Sequence, residues 1–345
     1  MVQSLFFGYL QGEPIHKNKV KTAKLLVAIA LLLLGLTSCN KSEQQNNTEQ
    51  THTETTTETT SNPFNADSAY FFVEHQVAFG PRVPNTPEHK ACAQWIAQQM
   101  EAYGATVQLQ NFSAQAYTGE TLNLTNIIAS YNPEAQERVL LMAHWDTRPW
   151  ADEDPSPANR KKPILGADDA GSGVAVMMEI GRYLGQNAPN KGVDLVFFDG
   201  EDYGQSSNEE SWCLGSTHWS KHPHREGYRA SYGILLDMVG SKTAQFRWEG
   251  LSKKQAPHIL ALVWDEAARL GYANYFVQAD GAFLTDDHVP VIRNLSIPCI
   301  DIVNYNPESA KGFGDYWHTV ADDMSHISKK TLQAVGHTVL SVINK

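Results

Sequence analysis

The chain has 345 residues, of which 42% are hydrophobic and 19% charged. This length and composition are enough to bury a substantial core, as one large α/β domain or two smaller ones. Asp and Glu (38) outnumber Lys and Arg (27), which gives a formal net charge of -11. No basic cluster interrupts the acidic body of the chain, which argues against a nucleic-acid partner.

The first 39 residues have the pattern of a bacterial export signal. Basic residues between positions 16 and 24 precede an apolar run over 25–36, and Cys39 follows two small polar residues later. The apolar run is shorter than the roughly 20 residues needed to span a bilayer, but it suits the hydrophobic region of a signal peptide. Because the segment Leu36-Thr37-Ser38-Cys39 resembles a lipobox, we predict a lipoprotein signal peptide over 1–39 with lipidation at Cys39. An ordinary signal peptide with an incidental cysteine is the alternative.

Residues 40–67 are predicted to form a flexible polar tether. They are rich in Thr, Glu, Gln and Asn and contain almost nothing apolar, so they cannot bury enough surface to offset the entropy of ordering. Residues 68–345 contain neither a repeat nor a second linker and are predicted to fold as one domain. The mature protein is then expected to be lipid-anchored in the bacterial cell envelope and to face the periplasm.

Three cysteines lie in the predicted domain, namely Cys92, Cys213 and Cys299. Export permits disulfides, but an odd count leaves at least one thiol unpaired. The cysteines show no CxxC spacing, the pattern that would indicate a metal site. We therefore expect these cysteines to act as small buried side chains.

Apolar, strand-like runs alternate with segments of helical periodicity along the domain. Near-continuous apolar runs, typical of strands covered on both faces, predict strands over 139–143, 193–198, 233–238 and 297–303. Helical spacing of apolar residues predicts helices over 90–103, 174–184, 258–270 and 328–342. This alternation predicts a three-layer α/β/α sandwich with a mixed, mainly parallel central sheet.

Polar residues follow several predicted strands at their carboxyl ends, where ligand sites of open α/β sheets form. The segments that contain them are Ala143-His144-Trp145-Asp146-Thr147, Gly166-Ala167-Asp168-Asp169, Phe197-Phe198-Asp199-Gly200-Glu201-Asp202, Leu235-Leu236-Asp237-Met238, Asp286-Asp287-His288 and Tyr316-Trp317-His318-Thr319. Each alone is equally typical of a surface turn, a helix cap or a buried histidine. Together they supply the His, Asp and Glu ligands that catalytic zinc favours, and a bound cation is the simplest way to offset the repulsion of several converging acids. The helical HExxH zinc motif is absent.

The order and wording of these segments resemble the M28 superfamily of zinc aminopeptidases and its glutaminyl cyclase branch, in particular the periplasmic glutaminyl cyclases of Bacteroidetes. The resemblance covers the chain from about residue 72 to its end. It implies one zinc held by Asp169, Asp202 and His318. The general acid/base of the family corresponds to Glu201.

The resemblance leaves the number of metals open. The two-zinc aminopeptidases of this superfamily hold a second zinc with residues that match His144 and Asp237, with Asp169 bridging. In glutaminyl cyclases the residue matching Asp286 instead hydrogen-bonds to those matching Asp237 and Glu201. All these residue types are present here.

Aromatic residues favour the cyclase branch. Trp317 directly precedes His318, as it does in the animal cyclases, where that indole lines the substrate pocket. Trp212 and Phe313 are further candidates for substrate binding, although the segment from 203 to 211 does not match the animal enzymes. Asp202 replaces a Glu of the animal enzymes, and either carboxylate can bind zinc.

The resemblance implies a zinc-dependent glutaminyl-peptide cyclotransferase. This enzyme would convert the N-terminal glutamine of peptides or exported proteins to pyroglutamate and release ammonia. Glu201 would move the proton, with Asp237 and Asp286 beside it. A two-zinc aminopeptidase that removes N-terminal residues is the first alternative, and a catalytically silent binding protein is the second.

Overall fold

The structure is a computed structural model that describes residues 62–345. Its centre is a sheet of six strands in the order β1-β2-β4-β3-β5-β8. The strands are β1 (Thr106–Gln115), β2 (Thr121–Tyr131), β3 (Arg138–His144), β4 (Gly192–Phe198), β5 (Tyr232–Asp237) and β8 (Cys299–Val303). The last four of these run parallel to one another, and β1 and β2 add an antiparallel hairpin at one edge. The predicted mixed, mainly parallel sheet is therefore confirmed.

Eight α-helices surround the sheet in the described part of the chain. They are α1 (Ala66–Ala78), α2 (Pro87–Ala102), α3 (Gly171–Gln186), α4 (Leu214–Lys221), α5 (Gly250–Gln255), α6 (Pro257–Arg269), α7 (His288–Leu295) and α8 (Lys329–Ile343). Two short parallel strands, β6 (Phe246–Trp248) and β7 (Phe276–Asp280), form a separate ribbon. Among residues 62–345, no helix is both long and apolar enough to cross a bilayer.

Alternate side chains of β3 enter two different cores. Val139 and Leu141 pack with residues of α1, α2, α3, α6 and α8 on one face of the sheet. Leu140 and Met142 pack with residues of α4 and α7 on the other face. Because successive side chains of a strand point to opposite faces, a central strand between two helical layers must be apolar throughout. The three-layer sandwich predicted from the near-continuous apolar runs is confirmed.

The folded unit begins earlier than the sequence predicted. Phe64 is buried against Gly336 of α8, and the Asn65 side chain accepts hydrogen bonds from the backbone of Asp67 and Ser68 as the N-cap of α1. The end of the predicted tether at residue 67 is thus wrong, because its last residues form a helix cap and a core contact. The Asn65 N–H also donates to Glu179 of α3, and the Phe64 carbonyl accepts from Gln333 of α8. The signal peptide over 1–39 and Cys39 lie outside the described residues.

The three cysteines of the domain are buried and form no disulfide with one another. This confirms the expectation that they act as small buried side chains. Cys213 has a further contact, described below.

A buried ion pair lies at the edge of the sheet opposite the carboxyl ends of the parallel strands. The Arg138 guanidinium, in the first residue of β3, donates to both carboxylate oxygens of Asp194 in β4, at 2.7 and 2.6 Å. Ser130 of β2 and Tyr228 donate to the same carboxylate. Burial would raise the pKa of Asp194, but the hydrogen bond and charge of Arg138 lower it. Asp194 therefore depends on Arg138 to remain charged inside the protein.

We predict that Arg138→Met lowers the free energy of unfolding by about 3–5 kcal/mol, because removing one partner leaves a buried charge uncompensated. Lys191→Met is the matched control, since Lys191 pairs with the exposed Glu137 at 3.6 Å and an exposed pair contributes about 0–1 kcal/mol. Denaturant unfolding of both variants measures the difference. Equally small losses of unfolding free energy in the two variants would contradict a large contribution of the buried ion pair to stability.

Candidate active site

The parallel strands bring the predicted catalytic and metal-binding residues to one edge of the sheet. His144 is the last residue of β3, and Asp237 is the last residue of β5. Glu201 and Asp202 follow β4 after Gly200, which has a left-handed backbone (φ +70°) that favours glycine. Asp169 lies just before α3. All these side chains are buried.

Two groups of metal-ligand type share Asp169. The ligand atoms of Asp169, Asp202 and His318 lie within 4.8 Å of one another, as do those of His144, Asp169 and Asp237. In the first group His318 Nε2 is 3.3 Å from Asp202 Oδ1 and 3.6 Å from Asp169 Oδ2. In the second, His144 Nε2 is 3.0 Å from Asp169 Oδ1 and 3.3 Å from Asp237 Oδ1.

The first group fits a zinc ion. It consists of one imidazole and two carboxylates, a set of three protein ligands that suits a catalytic zinc. Asp202 Oδ2 is buried and has no hydrogen-bond partner, an unusual state for a buried polar atom. A cation between these side chains would satisfy it. Asp169, Asp202 and His318 are thus the residues that would hold the metal.

Two further buried carboxylates hold the segments that contain these residues. Asp146 accepts hydrogen bonds from the backbone N–H groups of Glu201 and Asp202, at 3.0 and 3.2 Å. Asp322 does the same for Asp168 and Asp169, at 2.9 and 3.1 Å. Each carboxylate binds the backbone amides of two successive residues, so it fixes the backbone from which the side chains of those residues extend. Such supporting contacts set the position of a metal ligand.

Glu201 is placed beside the metal ligands without belonging to either group. Its Oε2 is 4.0 Å from His144 Nδ1, and the Cys213 thiol donates to its Oε1 at 3.5 Å. Burial, together with the negative charges of Asp202 and Asp286, raises the pKa of Glu201 well above its usual range. A carboxyl with a raised pKa is suited to accept and return a proton near neutral pH.

Asp286 lies next to Glu201 and Cys213 in the site. The ligand atoms of Asp286, Glu201 and Cys213 lie within 4.8 Å of one another. Asp286 Oδ1 accepts a hydrogen bond from the Asp287 backbone N–H, and the hydrogen bonds to Glu201 and Asp237 that the resemblance implies stay a prediction. Carboxylates bond to each other only when one is protonated. Burial and the charge of Asp237 raise the pKa of Asp286 to about 7.

An aromatic-walled cavity of about 280 Å³ opens onto these residues. Its lining includes Trp212, Phe313 and Trp317, together with Asp169, Glu201, Asp237, Asp286 and His318. The Trp317 ring is stacked on the His318 imidazole with 3.7 Å between ring centroids, and Phe313 packs on Trp317 at 4.7 Å. The structure thus brings all the predicted substrate-binding residues into one cavity with the predicted catalytic residues.

Sequence comparison places this site in a known family. The model of peptidase family M28 matches residues 126–343. The chain belongs to peptidase family M28. That match runs from β2 to the end of α8 and includes Asp146 as well as the two metal-ligand groups.

Two solved structures are similar to this chain over nearly their full length. Porphyromonas gingivalis glutaminyl cyclase is 57% identical, with a TM-score of 0.80 over 81% of this chain and 97% of that one. A Zn-dependent exopeptidase from Parabacteroides distasonis is 52% identical, with a TM-score of 0.81 over 82% and 98%. The Bos taurus glutaminyl-peptide cyclotransferase is 24% identical over 284 residues, which cover 73% of this chain and 74% of that protein.

Sequence reasoning missed four residues that support the site. The roles of Asp146 and Asp322 as acceptors for paired amides were not predicted, although both acids stand close to a predicted ligand in the sequence. Arg148 was missed too, and it lies 3.3 Å from Asp202 Oδ1. Cys213 was treated only as a buried side chain. Its left-handed backbone (φ 56°), which aims the thiol at Glu201, has no signal in the sequence.

We predict that His318→Ala removes most of the bound zinc, because a catalytic zinc has only three protein ligands. His258→Ala is the control, since His258 is exposed in the first turn of α6. Atomic emission on the purified proteins measures zinc per chain. Zinc content in His318→Ala equal to that of the control would rule out His318 as a ligand.

Proposed function

We propose that the protein is a zinc-dependent glutaminyl-peptide cyclotransferase that converts the N-terminal glutamine of peptides or exported proteins to pyroglutamate. The observation that carries this proposal is the 57% identity to Porphyromonas gingivalis glutaminyl cyclase across 97% of that chain. The small aromatic cavity beside Glu201 has the features that this reaction needs.

The reaction joins the α-amine of glutamine to its own side-chain amide carbon, and ammonia leaves. The substrate must first be held in a folded conformer, because its side chain is flexible in water. The walls formed by Trp212, Phe313 and Trp317 restrict that side chain, which lowers the entropic part of the barrier. They also limit the access of water, which would otherwise hydrolyse the amide.

Glu201 is the residue that moves the proton. Its carboxylate takes a proton from the attacking amine and returns one to the departing nitrogen. A zinc held by Asp169, Asp202 and His318 would supply Lewis-acid polarisation of the amide oxygen. Asp286 lies beside Glu201 and would accept a hydrogen bond from the departing amide nitrogen. Asp237, whose pKa burial raises to about 6, completes this group of acids.

We further propose one zinc per chain. In the group of His144, Asp169 and Asp237, a single ring nitrogen of His144 lies within hydrogen-bond distance of both carboxylates. His318 Nε2 is similarly close to Asp202 and Asp169, at 3.3 and 3.6 Å, so the unpaired carboxylate oxygen is what distinguishes the two groups. The group with Asp202 and His318, by contrast, leaves Asp202 Oδ2 without a partner.

A two-zinc aminopeptidase is the second candidate, and the presence of the complete His144–Asp169–Asp237 group is the observation that favours it. Two metals would bind a water molecule between them and hydrolyse the first peptide bond. Two zinc ions per chain at full occupancy would support this alternative.

The deciding experiment incubates the zinc-loaded protein with a peptide that begins with glutamine and follows the product by mass spectrometry. A cyclase product differs from the substrate by the loss of ammonia and keeps every residue. Release of free glutamine with a peptide shortened by one residue would establish the aminopeptidase instead.

We predict that Glu201→Gln lowers the rate of cyclisation by about 10²- to 10⁴-fold, which is roughly 3–5 kcal/mol of barrier. The substitution keeps the shape of the side chain but removes its ability to transfer a proton. Zinc content and the melting temperature should barely change. Glu210→Gln is the control, because Glu210 is an exposed carboxylate in the segment that follows β4.

Turnover, zinc content and melting temperature are measured on one preparation of each variant. Activity of Glu201→Gln within a few-fold of the control would contradict the assigned role. Joint loss of activity and fold would instead show that Glu201 is needed for the structure.

We also propose that the protein is anchored by lipid at Cys39 and faces the periplasm. The lipobox-like segment and the polar stretch that follows it support this proposal. Cys39→Ser should release the protein from the membrane fraction or block its processing. Membrane fractionation followed by immunoblotting tests it, and an equally membrane-bound Cys39→Ser protein would exclude the lipid anchor.

A further inference from the structure

Phe283 is an exposed aromatic side chain at the site. Four large hydrophobic side chains are exposed among residues 62–345, namely Phe71, Leu109, Tyr117 and Phe283, and Phe283 is the most exposed at 71%. It is also the one of these four that lines the cavity beside Glu201. It shares that lining with Leu284, Phe313 and Trp317, and apolar side chains that are grouped at a cavity, rather than scattered singly, mark a surface that binds a ligand.

The backbone around Phe283 is held in place on both sides. Gly281 donates to the Trp248 carbonyl, Ala282 accepts from the Gly250 N–H, and Leu284 donates to the Glu249 carboxylate at 3.2 Å. Glu249 is buried, and it also caps α5 through the amides of Leu251 and Ser252. Phe283 is therefore exposed on a well-fixed segment.

One face of the Phe283 ring is covered and the other is open. A Cβ atom added to Gly250 would lie 2.6 Å from Cγ of Phe283, so the ring rests directly on that glycine. The residues that follow Phe283, Leu284 to Asp286, continue along the cavity wall towards Glu201. Phe283 is thus the outer end of a wall whose inner end is Asp286.

The wall from Phe283 to Asp286 can contact the part of a peptide substrate that follows the N-terminal glutamine. If the N-terminal glutamine reacts beside Glu201, the chain must leave through the mouth of the cavity. Each extended residue advances the chain by about 3.3–3.6 Å, so the second residue reaches the mouth directly. We infer that Phe283 binds the side chain of the substrate's second residue and favours large apolar or aromatic ones. This inference rests on the proposed function.

The test compares two peptide amides, Gln-Phe-Ala and Gln-Ala-Ala, with the zinc-loaded full-length protein. The ratio of their kcat/KM values isolates the second side chain. We expect the native protein to prefer the first peptide on the order of 3- to 10-fold, as one aromatic contact provides. Phe283→Ala should bring the ratio close to one, and Phe283→Tyr should retain it.

Phe71→Ala is the matched control, because Phe71 is an exposed phenylalanine of α1 that does not line the cavity. It should keep the native ratio. A native ratio near one, or an equal loss for both peptides in Phe283→Ala, would overturn the inference.

The identity of the product is recorded in the same assay. Release of glutamine in place of cyclisation would overturn the proposed function, while the ratio of peptide consumption would still decide the role of Phe283. If the native protein consumes neither peptide, both the function and the inference fail.

Discussion

The site depends on the burial of several acidic side chains at one edge of the sheet. Asp169, Asp202, Glu201, Asp237 and Asp286 are all buried there. Like charges in a low-dielectric interior repel strongly, and their desolvation is itself unfavourable. Such a cluster is stable only if some acids bind protons and the others face cations. A metal ion between the ligand atoms of Asp169, Asp202 and His318 would supply such a cation.

Two further buried carboxylates fix the backbone segments that contain Asp169, Glu201 and Asp202. Asp146 and Asp322 each accept two successive backbone N–H groups next to a metal-ligand residue. Arg148 adds a positive charge beside Asp202. These contacts hold the side chains in position before any ligand arrives, so the site does not have to reorganise for binding. Preorganised polar groups of this kind are the main source of electrostatic stabilisation in enzymes.

The sequence predicted the layers and the parallel strands because buried strands are apolar on both faces and therefore form near-continuous apolar runs. The hairpin of β1 and β2 was not predicted. In β1 exposed residues alternate with partly buried ones, and most of its side chains are polar, so it lacks the continuous apolar run of the central strands. The recurrence of apolar residues at alternate positions of β1 was the available sequence signal for a strand. The end of the tether was misplaced because Phe64 is a single apolar residue in a polar stretch, and the hydrogen bonds of Asn65 to Glu179 and of the Phe64 carbonyl to Gln333 have no sequence signal.

The predicted site residues come from the ends of three strands and from the loops before α3, α4, α7 and α8, and their types and order were enough to group them. Their mutual geometry was not predictable in the same way. The group of Asp286, Glu201 and Cys213 brings together side chains from three separate segments of the sequence. The contact of Cys213 with Glu201 depends on one left-handed residue. The position of the Phe283 ring depends on Gly250 beneath it, which becomes evident only when β7 and α5 are placed together.

Thermal unfolding with and without zinc tests the central constraint most directly. The protein is stripped with a chelator, dialysed, and melted before and after one equivalent of zinc is restored. If the buried acids require a cation, the metal-free protein should melt clearly lower, and one equivalent should restore the melting temperature, since a ligand that binds only the folded state stabilises it. Identical melting temperatures for the stripped and restored protein would contradict this account.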